Sequence, residues 1–169
     1  MKSTIQCFFV IVILCLCNSE VIIAQWSTDP SVNNAICTEA SDQLFPNITS
    51  DDSGGAIITW QDQRGADDDI YAQRISASGV VQWTTNGVPI CNAITSQTSP
   101  AIVSDGSGGA IIAWTDSRDG GSDIYAQRIS ADGVPQWTTN GVAVCTAAYD
   151  QFVPSIISDG SRGAIIAWY

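Results

Sequence analysis

The chain contains no histidine, and its only lysine is Lys2. These absences remove much common chemistry: no imidazole base for a nucleophile, no Schiff-base amine, no His-ligated zinc. Basic residues number 6 against 17 acidic ones, for a net charge of −11. Nucleic acid and anionic membrane surfaces call for basic patches, so neither is an expected partner. Glutamate is confined to Glu20 and Glu39. Beyond the N-terminal segment no stretch carries the 3.6-residue apolar period of a helix. The longest apolar run, Cys7 to Leu16 (CFFVIVILCL), falls short of the roughly 20 residues a membrane span needs.

That run follows Lys2 and precedes Ala24-Gln25, which predicts a signal peptide over residues 1–24. The expected address is secreted, extracellular or bacterial cell surface, with no membrane span once the signal is removed. Cys7, Cys15 and Cys17 leave with it; Cys37, Cys91 and Cys145 stay. Equivalent positions in successive repeats lie too far apart for the roughly 4.4–6.8 Å Cα separation of a disulfide. Each thiol also ends an apolar stretch (NAIC, VPIC, VAVC), so buried free thiols are expected.

What the chain has in abundance is itself. Cys37, Cys91 and Cys145 recur every 54 residues, as do Pro46, Pro100 and Pro154, and Trp60, Trp114 and Trp168. Asp69 to Val88 returns as Asp123 to Val142 with 18 of 20 positions identical. The second unit reads as four strands. Pro100 to Asp105 is a strand opened by proline. The turn Gly106 to Gly108 leads into Gly109 to Asp116, whose continuous apolar run suits a strand covered on both faces. After a polar loop, Asp123 to Ser130 is a third strand, less apolar and nearer the outside. Asp132-Gly133 and Asn140-Gly141 are turns, and Val142 to Cys145 a short fourth strand.

A period near 50 built from strands predicts an all-β fold. The expectation is an incomplete β-propeller of about two and a half four-stranded antiparallel blades. Its parts are a leading strand 25–37, blades 46–91 and 100–145, and a partial blade 154–169. The last hairpin, ending at Tyr169, would expose an unpaired edge open to self-association. The whole reads as part of a longer protein.

The segment SDGSGGAIIAWTDSR with DIYAQRISADG, Ser104 to Gly133, resembles repeats of large secreted bacterial proteins of β-propeller type, as does its counterpart Ser50 to Gly79. The resemblance implies export but no activity. The repeat is also loosely similar to sialidase-type propellers, whose hairpins carry S-x-D-x-G-x-x-W. Counting from Ser104, position 106 is Gly where that pattern has Asp, so no catalytic role carries over.

The pattern W-x-D-x-R occurs as Trp60, Asp62, Arg64 and as Trp114, Asp116, Arg118. Residues two apart share a strand face, which favours a structural ion pair over a ligand-facing one. Arg74 and Arg128 are expected to pair with nearby aspartates. Asp67, Asp68 and Asp69 in one loop, and Asp119 and Asp123 in the next, are the candidate calcium ligands, since calcium takes six to eight oxygens. Ordinary turn chemistry accounts for the same residues. Trp26, Trp83 and Trp137 form a further equivalent set, read as packing residues before sugar platforms.

No residue is assigned a catalytic role and no cofactor beyond calcium is expected. The leading functional expectation is a non-enzymatic repeat module, a scaffold or a binder of a protein or glycan. The alternatives are the N-terminal part of a secreted carbohydrate-active or other hydrolase with its active site beyond Tyr169, and a calcium-dependent adhesin.

Overall fold

The computed structural model describes Trp26, Ser27, Asp29 and residues 31–169. The signal-peptide reading of residues 1–24 lies outside them. No helix occurs among the described residues, and none is therefore long and apolar enough to cross a membrane.

Among the described residues ten strands form three antiparallel sheets. The first holds β1 (Gln43–Ser50), β2 (Ala56–Asp62), β3 (Asp69–Ile75) and β4 (Val88–Cys91), in that order. The second repeats it with β5 (Gln97–Ser104), β6 (Ala110–Asp116), β7 (Asp123–Ile129) and β8 (Val142–Cys145). The third is the hairpin of β9 (Ser155–Ser158) and β10 (Ala164–Ala167). Each strand pairs with its sequence neighbour, and the registers of the two four-stranded sheets coincide after a shift of 54 residues.

The repeated proline does not open its strand. Pro100 lies inside β5, where Ser99 and Pro100 together oppose the single residue Trp114. Phe45 and Pro46 do the same opposite Trp60. These are β-bulges, which tolerate proline because the bulged residue gives up a ladder hydrogen bond. The residue ahead of each proline is held at positive φ: 50° at Phe45, 53° at Ser99 and 49° at Val153. Beyond the third bulge, Phe152 and Tyr169 exchange both backbone hydrogen bonds, so the ladder of the last hairpin resumes in the same way.

The sheets share a core. Ile57, Ile70 and Ile90 of the first unit pack with Ile112, Trp114 and Ile129 of the second in one apolar cluster. Every residue of β6 is buried, which answers to its continuous apolar run. The third strand is not a solvent-facing one: β7 is buried except at Arg128, because both of its faces are covered. Among the first strands β5 lies against both β1 and β9, and all three bulges line an open cavity of about 570 Å³.

Of residues 25–37, expected to form a leading strand, those described form no ladder. The fourth strands β4 and β8 exist by pairing with a third strand, and among the described residues no third strand lies alongside this segment. The segment is fastened by side chains instead. The Trp26 indole N–H donates to the Ala77 carbonyl (2.9 Å), and the Thr38 N–H donates to Asn86 Oδ1 (3.0 Å).

Candidate functional site

The W-x-D-x-R residues meet where β2 and β6 end. Asp62 is the last residue of β2, buried, with its carboxylate turned back along the strand. It accepts from the Trp60 indole N–H (2.7 Å), the Arg64 backbone N–H (2.9 Å) and both Nε and Nη2 of Arg64 (2.8 and 2.6 Å). The same guanidinium donates to the Asn86 carbonyl (2.8 Å) and lies 3.9 Å over the Tyr71 ring. In the second unit Asp116 accepts from Trp114 (2.8 Å) and from Arg118, whose guanidinium reaches the Asn140 carbonyl (2.8 Å) and covers Tyr125. Its Nη2 also touches the Cys91 sulfur of the preceding unit at 3.1 Å. One clamp thus ties strand end, loop, turn and neighbouring sheet.

Arg74 and Arg128 pair with aspartates as expected, and their partners, Asp51 and Asp105, which the sequence did not single out, make a second fastener. Asp51 closes the β1–β2 turn, accepting from the Ser53 and Gly55 N–H groups (2.9 and 2.7 Å) while its other oxygen binds Arg74 (2.9 Å). Asp105 does the same with Ser107, Gly109 and Arg128. The acid that holds the turn therefore sits one residue ahead of Gly106, the position compared with the sialidase pattern. Gln73 and Gln127 are a third device. Each is fully buried and binds the long excursion between third and fourth strands; Gln73 donates to the Thr84 carbonyl (2.8 Å) and accepts from the Trp83 N–H (2.9 Å).

Burial works against the charge of Asp62, but Arg64 and the Trp60 indole outweigh it and hold the carboxyl below its usual range. Asp51 and Asp105 are depressed in the same manner by their turn N–H groups and arginines. These acids are occupied by hydrogen bonds from within the fold and present no free pair to a substrate.

The candidate calcium ligands fall around the two loops at this end. Asp67 and Asp68 stand in the β2–β3 loop, where Asp68 accepts from Gln63 (2.9 Å). Asp69 begins β3 directly opposite Asp62, and Asp123 begins β7 opposite Asp116. Asp119 accepts from the Tyr125 hydroxyl (2.7 Å). Among the described residues no group of three or more such side chains is gathered as a metal site would gather them. Burial first, and the facing Asp62 charge second, push Asp69 up to about 6. Burial and then Asp119 raise Asp123.

These opposed shifts set a pH profile. The raised Asp69 binds its proton more tightly folded than unfolded, so stability falls as pH rises between about 4 and 6, and Asp123 acts in the same direction. The depressed Asp51, Asp62 and Asp105 act oppositely, and their stabilisation is lost as pH falls below about 4. Urea midpoints measured from pH 3 to 8 are expected to peak near pH 4, where the two effects meet. Asp69→Asn should flatten the upper slope and leave the acid limb in place.

Trp83 is a packing residue. Its indole N–H donates to the Ala131 carbonyl of the next unit (2.9 Å), and its ring lies under Gly133. A Cβ at Gly133, where φ is +79°, would come within 2.7 Å of that ring. Trp26 holds Ala77 and Gly79 in the same way, Trp137 has no such turn against it among the described residues, and both of these rings are exposed. The cysteines Cys37, Cys91 and Cys145 are free thiols, with burial pushing Cys91 up to about 12.

No protein-family model, curated protein or solved structure matches this chain.

Proposed function

We propose that the chain is a secreted or cell-surface repeat module without catalytic activity, its sheets successive blades of a β-propeller, with binding carried on the rim of loops 63–68 and 117–122. The observation behind the non-enzymatic reading is the use to which the repeated charges are put. Asp51, Asp62, Asp105 and Asp116 each hold an arginine and close a turn or strand end. An active site needs groups left available to a substrate, and the repeated acids are spent on structure. The blade reading draws support from the order of strands: the first strands gather around one cavity, while β4 and β8 lie at the far edges of their sheets.

The rim reading rests on charge and position. Loops 63–68 and 117–122 join equivalent strands, so they stand at the same end of adjacent sheets, and the Gln97 N–H of the second unit donates to the Asp68 carbonyl of the first (2.7 Å). Function concentrates in loops carried by a rigid scaffold. With Asp67, Asp68, Asp119 and Asp150 at this end and the nearby arginines bound internally, the partner it fits is a basic protein surface.

A titration with an arginine-rich peptide, alongside calcium, tests this. Peptide binding should saturate, weaken steeply with salt, and fall about tenfold or more in Asp67→Asn/Asp68→Asn/Asp119→Asn, as expected when several exposed charges act together. Peptide binding unchanged by the triple substitution would overturn the rim reading. Calcium heats abolished by those substitutions would favour the adhesin.

A further inference from the structure

The stretch Q-W-T-T-N-G-V occurs twice, at residues 82–88 and 136–142, and places an Asn-Gly pair in the same turn of each unit. An asparagine side chain ahead of glycine is open to attack by the glycine's backbone nitrogen, because no Cβ shields that nitrogen. The fold ties down the atoms of that reaction. The Gly141 N–H donates to the Thr138 carbonyl (2.8 Å), the Asn140 carbonyl accepts from Arg118 Nη2 (2.8 Å), and Asn140 Oδ1 accepts from the Asn92 N–H (3.2 Å). In the first copy the Gly87 N–H donates to the Thr84 carbonyl (2.9 Å) and the Asn86 carbonyl accepts from Arg64 (2.8 Å). The Asn86 side chain is held more firmly than that of Asn140. Its Oδ1 accepts from both the N–H and the hydroxyl of Thr38 (3.0 and 3.1 Å), and its Nδ2 donates to Glu39 (2.8 Å). Both glycines are buried, pressed on Trp60 and Trp114.

We propose that Asn86 and Asn140 are modification sites gated by the fold: each converts through a cyclic imide to aspartate or isoaspartate once its turn opens, and isoaspartate bars the turn from closing again. In the open chain the glycine nitrogen attacks the asparagine Cγ and a C–N bond forms. The side-chain nitrogen leaves as ammonia, carrying the proton that the glycine nitrogen gives up. Solvent water then adds to one imide carbonyl and breaks its C–N bond. Cleavage at Cγ restores the ordinary backbone as aspartate. Cleavage at the former peptide carbonyl leaves the main chain running through Cβ and Cγ, one atom longer, with the carboxyl on a side branch. That second product does not fit the turn. The carbonyl that met the arginine has left the main chain, and the glycine, which has no room even for a Cβ beside its tryptophan, is displaced. Unfolding thereby becomes one-way with time, a kinetic limit on stability. The gate is a property of each turn and needs neither a rim ligand nor a closed propeller.

The identical flanking sequence makes each site the other's control. The intact chain is aged in mildly alkaline buffer, folded and in guanidinium, and conversion is followed by peptide mapping that separates isoaspartate from aspartate. Unfolded, the two sites should convert at one rate. Folded, both should slow about tenfold or more, since reaction then waits on local opening, and Asn140 should convert before Asn86. Thr38→Ala/Glu39→Ala leaves Asn86 Oδ1 with a single backbone donor, as Asn140 has, and should bring the two folded rates together. Chains carrying isoaspartate in place of Asn140 should fail to recover native tryptophan fluorescence on dilution from guanidinium. Asn140→Asp should recover it, because a carboxylate oxygen still accepts from the Asn92 N–H. Equal rates in the folded and unfolded chain overturn the gate. So does Asn86 converting as fast as Asn140 in the wild-type fold. Full refolding of isoaspartate chains, or failure of Asn140→Asp to refold, overturns the link between isoaspartate and the lost turn.

Discussion

Replacing Asp116 by alanine is expected to destabilise the protein by about 3–5 kcal/mol, the range for removing one partner of a buried ion pair. The side chain is wholly buried and accepts from the Trp114 indole, the Arg118 backbone N–H and two guanidinium nitrogens. Alanine leaves the indole N–H without an acceptor inside the core and the guanidinium without its counter-charge. Each unsatisfied donor adds its own desolvation penalty of about 1–3 kcal/mol, so the upper part of the range is expected. Urea unfolding followed by tryptophan fluorescence measures it. The paired change Asp116→Ala/Arg118→Met should recover much of the loss, because deleting a buried charge pair is less costly than orphaning one member. Equal midpoints for wild type and Asp116→Ala would refute the clamp.

The second large effect concerns Gly141. Its φ is +85°, and a Cβ there would come within 2.5 Å of the Trp114 ring and 2.7 Å of the Ala126 carbonyl. Gly141→Ala therefore combines left-handed backbone strain of about 1–2 kcal/mol with overpacking of about 1–3 kcal/mol. A loss near 3 kcal/mol is expected in the same unfolding assay. Gly106→Ala isolates the first contribution, since φ is again positive (+68°) but nothing lies within 4 Å of the added carbon. It should cost about 1 kcal/mol. Matching losses at the two sites would mean that the tryptophan does not seat against the turn.

The four strands of each full unit were legible in the sequence, and the reason is local. The apolar run Ala110 to Trp114 suits a strand covered on both faces, and in the second unit the Asp-Gly and Asn-Gly pairs bracket the excursion between third and fourth strands. The bulge was not legible. Proline within an extended stretch reads equally well as a strand's first residue, and only pairing against Trp114 shows that Ser99 and Pro100 share one partner. Gln73 and Gln127 were missed because a polar residue in an alternating strand reads as outward-facing. Here it faces inward and replaces a ladder of backbone bonds for the Thr84 to Trp83 excursion. A signal was available in that each recurs unchanged ten residues ahead of a repeated Trp-Thr-Thr-Asn-Gly. The leading segment was misread because its NAIC sequence copies a fourth strand. Sequence similarity carries the side-chain contacts, while a ladder requires a partner strand in place.

The near-identity of β3 and β7 poses an error problem during folding, since β2 could pair with either. The loop joining β2 to β3 has 6 residues, from 63 to 68, whereas pairing β2 with β7 would close a loop of 60, from 63 to 122. Tenfold in loop length is worth about 2 kcal/mol of closure entropy, which favours the correct partner by roughly thirtyfold before any side chain is compared. The short acidic loops therefore act as proofreaders: lengthening one would weaken the chain's means of telling its two copies of DIYAQRI apart.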